Sequence, residues 1–140
     1  MAKLRQFFDD YAAALSAANV EGIAEVYADQ FMATGPGFRM ANKNDEQFRR
    51  GLAQAAQFYR QIGVDVIEIK NYLEAELGSG FWLTKIEWEL LDEDLNDMLT
   101  FDNTYLVEAG DSKPQIVLFI AHNEHQRMQE KGLMPSDRGG

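Results

Sequence analysis

The sequence predicts an α+β fold, with three N-terminal helices packed on a curved, mostly antiparallel sheet. Three observations carry this. Apolar residues recur at helical spacing as far as Ile62, the period changes to two after Gly63, and turn-rich clusters then cut the chain into four long strands. A single domain over residues 1–132 is expected, with a flexible tail over 133–140.

Leu4, Phe7, Phe8, Tyr11 and Leu15 give the first helix, expected over 3–18, one apolar face. Asn19 is placed to cap a second helix, with Glu21 in its first turn and an end near Asp29. Phe31 to Thr34 reads as a short strand, and Gly35-Pro36-Gly37 breaks it. Asn44 is expected to cap the third helix. Phe48, Leu52, Ala55, Tyr59 and Ile62 form its stripe, and Gly63 stops it.

Alternation then places Ile67, Ile69, Asn71, Leu73, Ala75 and Leu77 on the inner face of a long strand. After the Gly78-Ser79-Gly80 turn, Trp82, Thr84, Ile86, Trp88 and Leu90 line the inner face of the next. The strand over 98–108 is apolar on both faces, with Leu99, Phe101, Tyr105 and Val107 on one and Met98 and Leu106 on the other. One layer of helices covers only one face, so a homodimer through the sheet is expected. The run 115–121 is a buried final strand, and the chain after Asn123 reads as briefly helical.

The net charge of −10 and the scattered cations argue against nucleic acid and anionic membranes as partners. No stretch approaches the ~18 apolar residues of a membrane span. The start MAKLRQFFDDY lacks a signal-peptide core, which predicts a cytoplasmic protein. The absence of cysteine excludes disulfides, thiolate catalysis and cysteine metal sites.

The stretch YAAALSAANVEGIAEVYAD (11–29) carries an aromatic on a helix, a polar break at Asn19 to Gly22, and then Tyr27-Ala28-Asp29. With the element order, this resembles the NTF2-like superfamily over about residues 3–122. That group includes nuclear transport factor 2, ketosteroid isomerase, scytalone dehydratase and the SnoaL-like cyclases. The resemblance implies a cystatin-like α+β cone with a hydrophobic pocket between helices and sheet, suited to a small apolar ligand. In ketosteroid isomerase a carboxylate base works with an oxyanion hole of one Tyr and one protonated Asp. Carried over by position, the tyrosine falls on Tyr11, the oxyanion aspartate near Thr104, and the base on Gly35, which cannot take a proton.

Tyr11 and Asp102 are therefore the expected catalytic residues, Asp102 because it alternates with Met98, Thr100, Thr104 and Leu106. A carboxylate on an apolar, cavity-lining face is a candidate general acid or base. Leu15, Tyr27 and Tyr59 are expected to line the pocket from the helical side, and Met32, Thr34 and Asn71 from the strands. Trp82, Thr84, Ile86, Trp88 and Thr104 complete it. No metal and no cofactor is expected. HNEH (122–125) matches no zinc motif. DEDLND (92–97) fails as a calcium loop, with Asp97 where glycine is needed. Two functions stay open. One is a small-molecule binder, extending to a cofactor-free isomerase, cyclase or lyase. The other is a non-catalytic dimerisation or interaction module whose cone is filled by its own side chains.

Overall fold

The computed structural model describes residues 3–133. The chain opens with α1 (Arg5–Ser16), α2 (Val20–Glu25), β1 (Tyr27–Gly35), β2 (Phe38–Lys43) and α3 (Glu46–Gln61). It continues with β3 (Val66–Gly78), β4 (Phe81–Leu91), β5 (Asp97–Glu108), β6 (Gln115–Ala121) and α4 (Glu124–Glu130). The strands form one sheet in the order β2-β1-β6-β5-β4-β3. Only the β1–β6 pair is parallel. The predicted α+β architecture is the observed one. The expected loose tail lies outside the described residues, apart from Leu133, which packs against the core.

The N-terminal helices follow the predicted faces. Phe8 and Tyr11 of α1 are buried, and Asn19 caps α2 by accepting from the Gly22 amide at 3.1 Å. At the end of α1, Ser16 donates to the Ile67 carbonyl and accepts from the Ile67 amide, which pins the helix to β3. Two boundaries differ from expectation. The second helix ends at Glu25 because Tyr27 already starts β1. Asp45, not Asn44, caps α3 by accepting from the Phe48 amide. Asn44 turns back instead and donates to the carbonyls of Ala24 and Tyr27 at 2.8 and 3.0 Å, which ties the start of α3 to the end of α2 and the start of β1.

The corner FMATGPG is a hairpin. Gly35 pairs with Phe38 across it, and Gly37 takes φ +87°, which a side chain would strain. A Cβ at Gly35 would lie 2.6 Å from both the Ala121 carbonyl oxygen and the Phe38 ring, so no carboxylate fits there. The returning strand β2 was not expected. It is exposed along nearly its whole length and has no buried face to impose an alternating pattern.

β3 begins as predicted and then departs. Ile69 pairs with Trp88 and Asn71 with the next residue, Glu87, so Lys70 is an extra residue in a bulge. The bulge reverses the alternation. Tyr72 and Glu74 turn inward, while Leu73 and Leu77 stand 70% and 57% exposed on the outer side. Inside, the Glu74 carboxylate accepts from the amides of Lys3 and Leu4, which receive no helical carbonyl at the start of α1. β4 keeps the predicted register, with Thr84, Ile86, Trp88 and Leu90 buried. On β5 the buried face is Leu99, Phe101, Asn103, Tyr105 and Val107.

Candidate functional site

The interior of the cone is aromatic. Tyr11 meets Tyr27, Trp88 and Tyr105 edge-on with centroids 5.8–6.1 Å apart, and Phe8 closes one side against Tyr105. Such contacts each add about 0.5–1.5 kcal/mol beyond the area they bury. A tract of polar atoms threads these rings. The hydroxyls of Tyr11 and Tyr27 share a hydrogen bond of 2.6 Å. Trp88 Nε1 and Asn103 Nδ2 both donate to the Tyr105 hydroxyl oxygen at 3.0 Å. Asn103 Oδ1 and Thr84 Oγ1 are buried with no hydrogen-bond partner among the described residues.

Burial holds the tyrosines neutral. It raises the Tyr11 hydroxyl well above the ordinary phenol value, with Tyr27 and Tyr105 adding to the effect. Tyr27 is raised likewise. Tyr105 is pushed up to about 12, burial again outweighing the donors Asn103 and Trp88, which favour its ionised form. These groups can donate hydrogen bonds but cannot act as bases near neutrality.

A carboxyl lies apart from this tract, at the start of α4. Glu124, the first residue of α4, is half-buried, and the Tyr59 hydroxyl on α3 donates to it. Burial raises the Glu124 pKa, opposed by the Tyr59 bond and by His125. The Met128 side chain, one turn on, enters the core and fastens α4 to the body of the domain. Beside Glu124 lies a cavity of about 320 Å³, walled by Pro36 and Phe38 of the hairpin and by Ala121, His122 and His125. The GPG corner therefore forms one wall of this opening.

The residues expected to line the pocket divide between the two faces of the sheet. Tyr11, Tyr27, Thr84, Ile86 and Trp88 are buried inside, and Leu15, Tyr59 and Trp82 pack against them. Asp102, Thr104, Asn71, Met32 and Thr34 lie on the outer face instead. Asp102 alternates with buried Phe101 and Asn103, pairs with Glu87, and is bonded to Asn123. Thr104 bonds His122 Nε2 at 2.7 Å, and Asn71 bonds Glu87. Met32 sits opposite Leu118, between buried Phe31 and Ala33, and Thr34 bonds the Phe38 carbonyl. The cause on β5 is a one-residue ambiguity, since both of its faces offer apolar residues. The inward polar residue is Asn103, adjacent to the expected Thr104.

Sequence reasoning missed Asn103 and Glu124. Glu124 lay inside HNEH, where the histidines drew attention, yet both histidines are exposed and the glutamate between them is the residue that turns inward.

An α+β cone with a six-stranded sheet, covered on its inner face by helices, defines the NTF2-like class. Residues 2–124 match the model of the NTF2-like protein family DUF6841, and the chain belongs to that family. No curated protein matches the sequence. Several solved structures share the fold. One is a Nostoc punctiforme protein of unknown function with a cystatin-like fold, 14% identical, covering 86% of this chain and 87% of that one with a TM-score of 0.67. An NTF-2 like protein of unknown function from Shewanella oneidensis is 20% identical, with coverages of 84% and 94% and a TM-score of 0.61. A putative calcium/calmodulin dependent protein kinase II association domain from Xanthomonas campestris is 16% identical, with coverages of 87% and 88% and a TM-score of 0.62. At these identities the likeness is one of fold alone.

Proposed function

We propose that the chain binds a small, largely apolar molecule at the mouth of its cone, and that Glu124 exchanges a proton with it. The observation that carries this is a half-buried carboxyl, held by one tyrosine, on a residue that lines a cavity of about 320 Å³. That volume falls within the roughly 300–1,000 Å³ of small-molecule sites. The chemistry available is cofactor-free acid–base catalysis of the isomerase, cyclase or lyase kind, with a neutral carboxyl as donor and its carboxylate as base. The rings around Tyr11 already fill the deep cone, which favours the mouth as the ligand site. A side-chain-filled interior is also what a non-catalytic module needs, and ligand binding separates the two.

The test is a ligand-detected NMR screen of cyclic ketones and enones at about 1 mM, where even weak sites register. In protein-detected spectra these binders should shift resonances of Phe38, His122 and Glu124, and Glu124→Ala should weaken their binding several-fold. A panel with no binders, or binding indifferent to Glu124→Ala, would sink the proposal.

A second reading concerns the outer face of the sheet. Register aligns Ala75, Leu83, Leu106, Leu118 and Met32 in one apolar row across β3, β4, β5, β6 and β1. Leu83 in that row is 41% exposed, and Leu73 beside it 70%. A second copy of the chain covering this row would make a homodimer of the kind that two-fold symmetry favours. Sedimentation should then give a dimer at about 50 μM, and the Leu83→Asp, Leu106→Asp double variant a folded monomer, because each introduced charge would be desolvated at the interface. A wild-type monomer at that concentration rejects the dimer.

A further inference from the structure

The two edges of the sheet are treated differently. β3, at one edge, carries bulges at Lys70 and near Leu77, and its charged residues Glu68, Lys70, Glu74 and Glu76 are spread along its length. These are the features by which natural sheets discourage further strand pairing. β2, at the other edge, has no bulge, and its charged residues are the two cations Arg39 and Lys43. Its six residues FRMANK pair with β1 without a register shift, contain no proline and no acid, and are almost fully exposed. Alternate residues of such an edge turn their N–H and C=O groups away from the sheet, and on β2 the Phe38 and Lys43 carbonyls already accept from the Thr34 hydroxyl and the Asp45 amide.

The side chains of β2 are sorted. Phe38 and Met40 share one face, Met40 opposite buried Ala33, and they are 41% and 53% exposed. Arg39 and Lys43 share the other face, opposite Thr34 and Gln30, and neither is in an ion pair with a described residue. They are the charged residues of this strand, in a chain of net charge −10.

We propose that β2 is a docking edge for an extended segment of a partner protein in which acidic and apolar residues alternate. Its backbone would continue the sheet beside β2, its apolar side chains would lie against Phe38 and Met40, and its carboxylates against Arg39 and Lys43. A second copy of this chain is a poorer occupant. Its own β2 would bring cations to cations, and each body carries −10.

The test uses a capped peptide of about seven residues alternating glutamate and valine, the length of an ordinary strand. Titrated into the full-length protein, it should shift the backbone amides of residues 38–43 and leave those of β3 unmoved. Reversing two cross-strand charge pairs in the Arg39→Glu, Lys43→Glu variant should weaken binding about tenfold. N-methylation of alternate peptide amides should abolish binding, because strand addition requires those donors. Shifts centred away from β2, binding indifferent to N-methylation, or broadening of the β2 amides with concentration in the absence of peptide would each overturn the proposal. The last of these would assign the edge to a second copy. Glu124 variants, which probe the mouth of the cone, should bind the peptide as wild type does.

Discussion

Tyr105→Phe is expected to destabilise the fold by about 2–5 kcal/mol, although it removes a single oxygen. That oxygen accepts hydrogen bonds from both Trp88 Nε1 and Asn103 Nδ2. Without it two buried donors lose their acceptor, and each unsatisfied buried group costs about 1–3 kcal/mol. The surroundings offer little relief. Trp88 and Tyr105 are 1% and 2% exposed, so water does not reach the vacated position. Against a total stability of about 5–15 kcal/mol for a domain of this size, the loss is a large fraction. Urea unfolding followed by tryptophan fluorescence measures it directly, with the midpoint falling and the slope unchanged. A shift of less than about 1 kcal/mol would mean that the cone relaxes to re-pair these donors, and that the polar tract is less fixed than its geometry implies.

The polar tract also shows where the sequence could be read and where it could not. The helical stripe through Phe8 and Tyr11, the alternation of Thr84, Ile86 and Trp88, and the stop at Gly63 were legible because one periodicity dominates each element. Three features escaped for separate reasons. The bulge at Lys70 has no residue signature, yet it exchanges the inner and outer faces of the rest of β3, sending Leu73 out and Glu74 in. β5 carries apolar residues on both faces, so alternation alone gave Asp102 and Asn103 equal claim to the interior. The choice depended on which face the helices cover, a tertiary fact. Glu124 belongs to a short helix that follows the last strand, and nothing in HNEH shows that this helix folds back across the cone. Sequence patterning thus located the fold and the inner faces of α1 and β4, while the bond between the Glu124 carboxyl and Tyr59 required the path of the chain.

That carboxyl leads to the second large effect, a stability that declines as pH rises. Glu124 has an ordinary value of 4.5, which burial raises in the folded chain. Between the unfolded value and the raised folded value, the native state holds a proton that the unfolded chain has released. Stability from this group is therefore complete below about pH 4.5 and is lost as pH climbs through the folded pKa. The sign is opposite to that of Glu74, whose hydrogen bonds from Tyr72 and the Leu4 and Lys3 amides outweigh its burial and lower its pKa. Glu74 supports the fold above its unfolded pKa and fails as pH falls through the folded one. Glu124→Gln isolates the first effect. The variant keeps an acceptor for Tyr59 but cannot ionise, so its stability relative to wild type should grow with pH above the unfolded value. Tyr59→Phe acts in the other direction. It removes the bond that favours the carboxylate, costs about 1–3 kcal/mol for the group left unpaired, and moves the window to higher pH. Unfolding midpoints of the three proteins across pH 4–8 measure both effects, and parallel curves for wild type and Glu124→Gln would show that Glu124 is solvated rather than shielded. A shielded carboxyl whose protonation changes within this range is what proton exchange with a bound ligand requires, so the same curves test the chemistry proposed at the mouth of the cone.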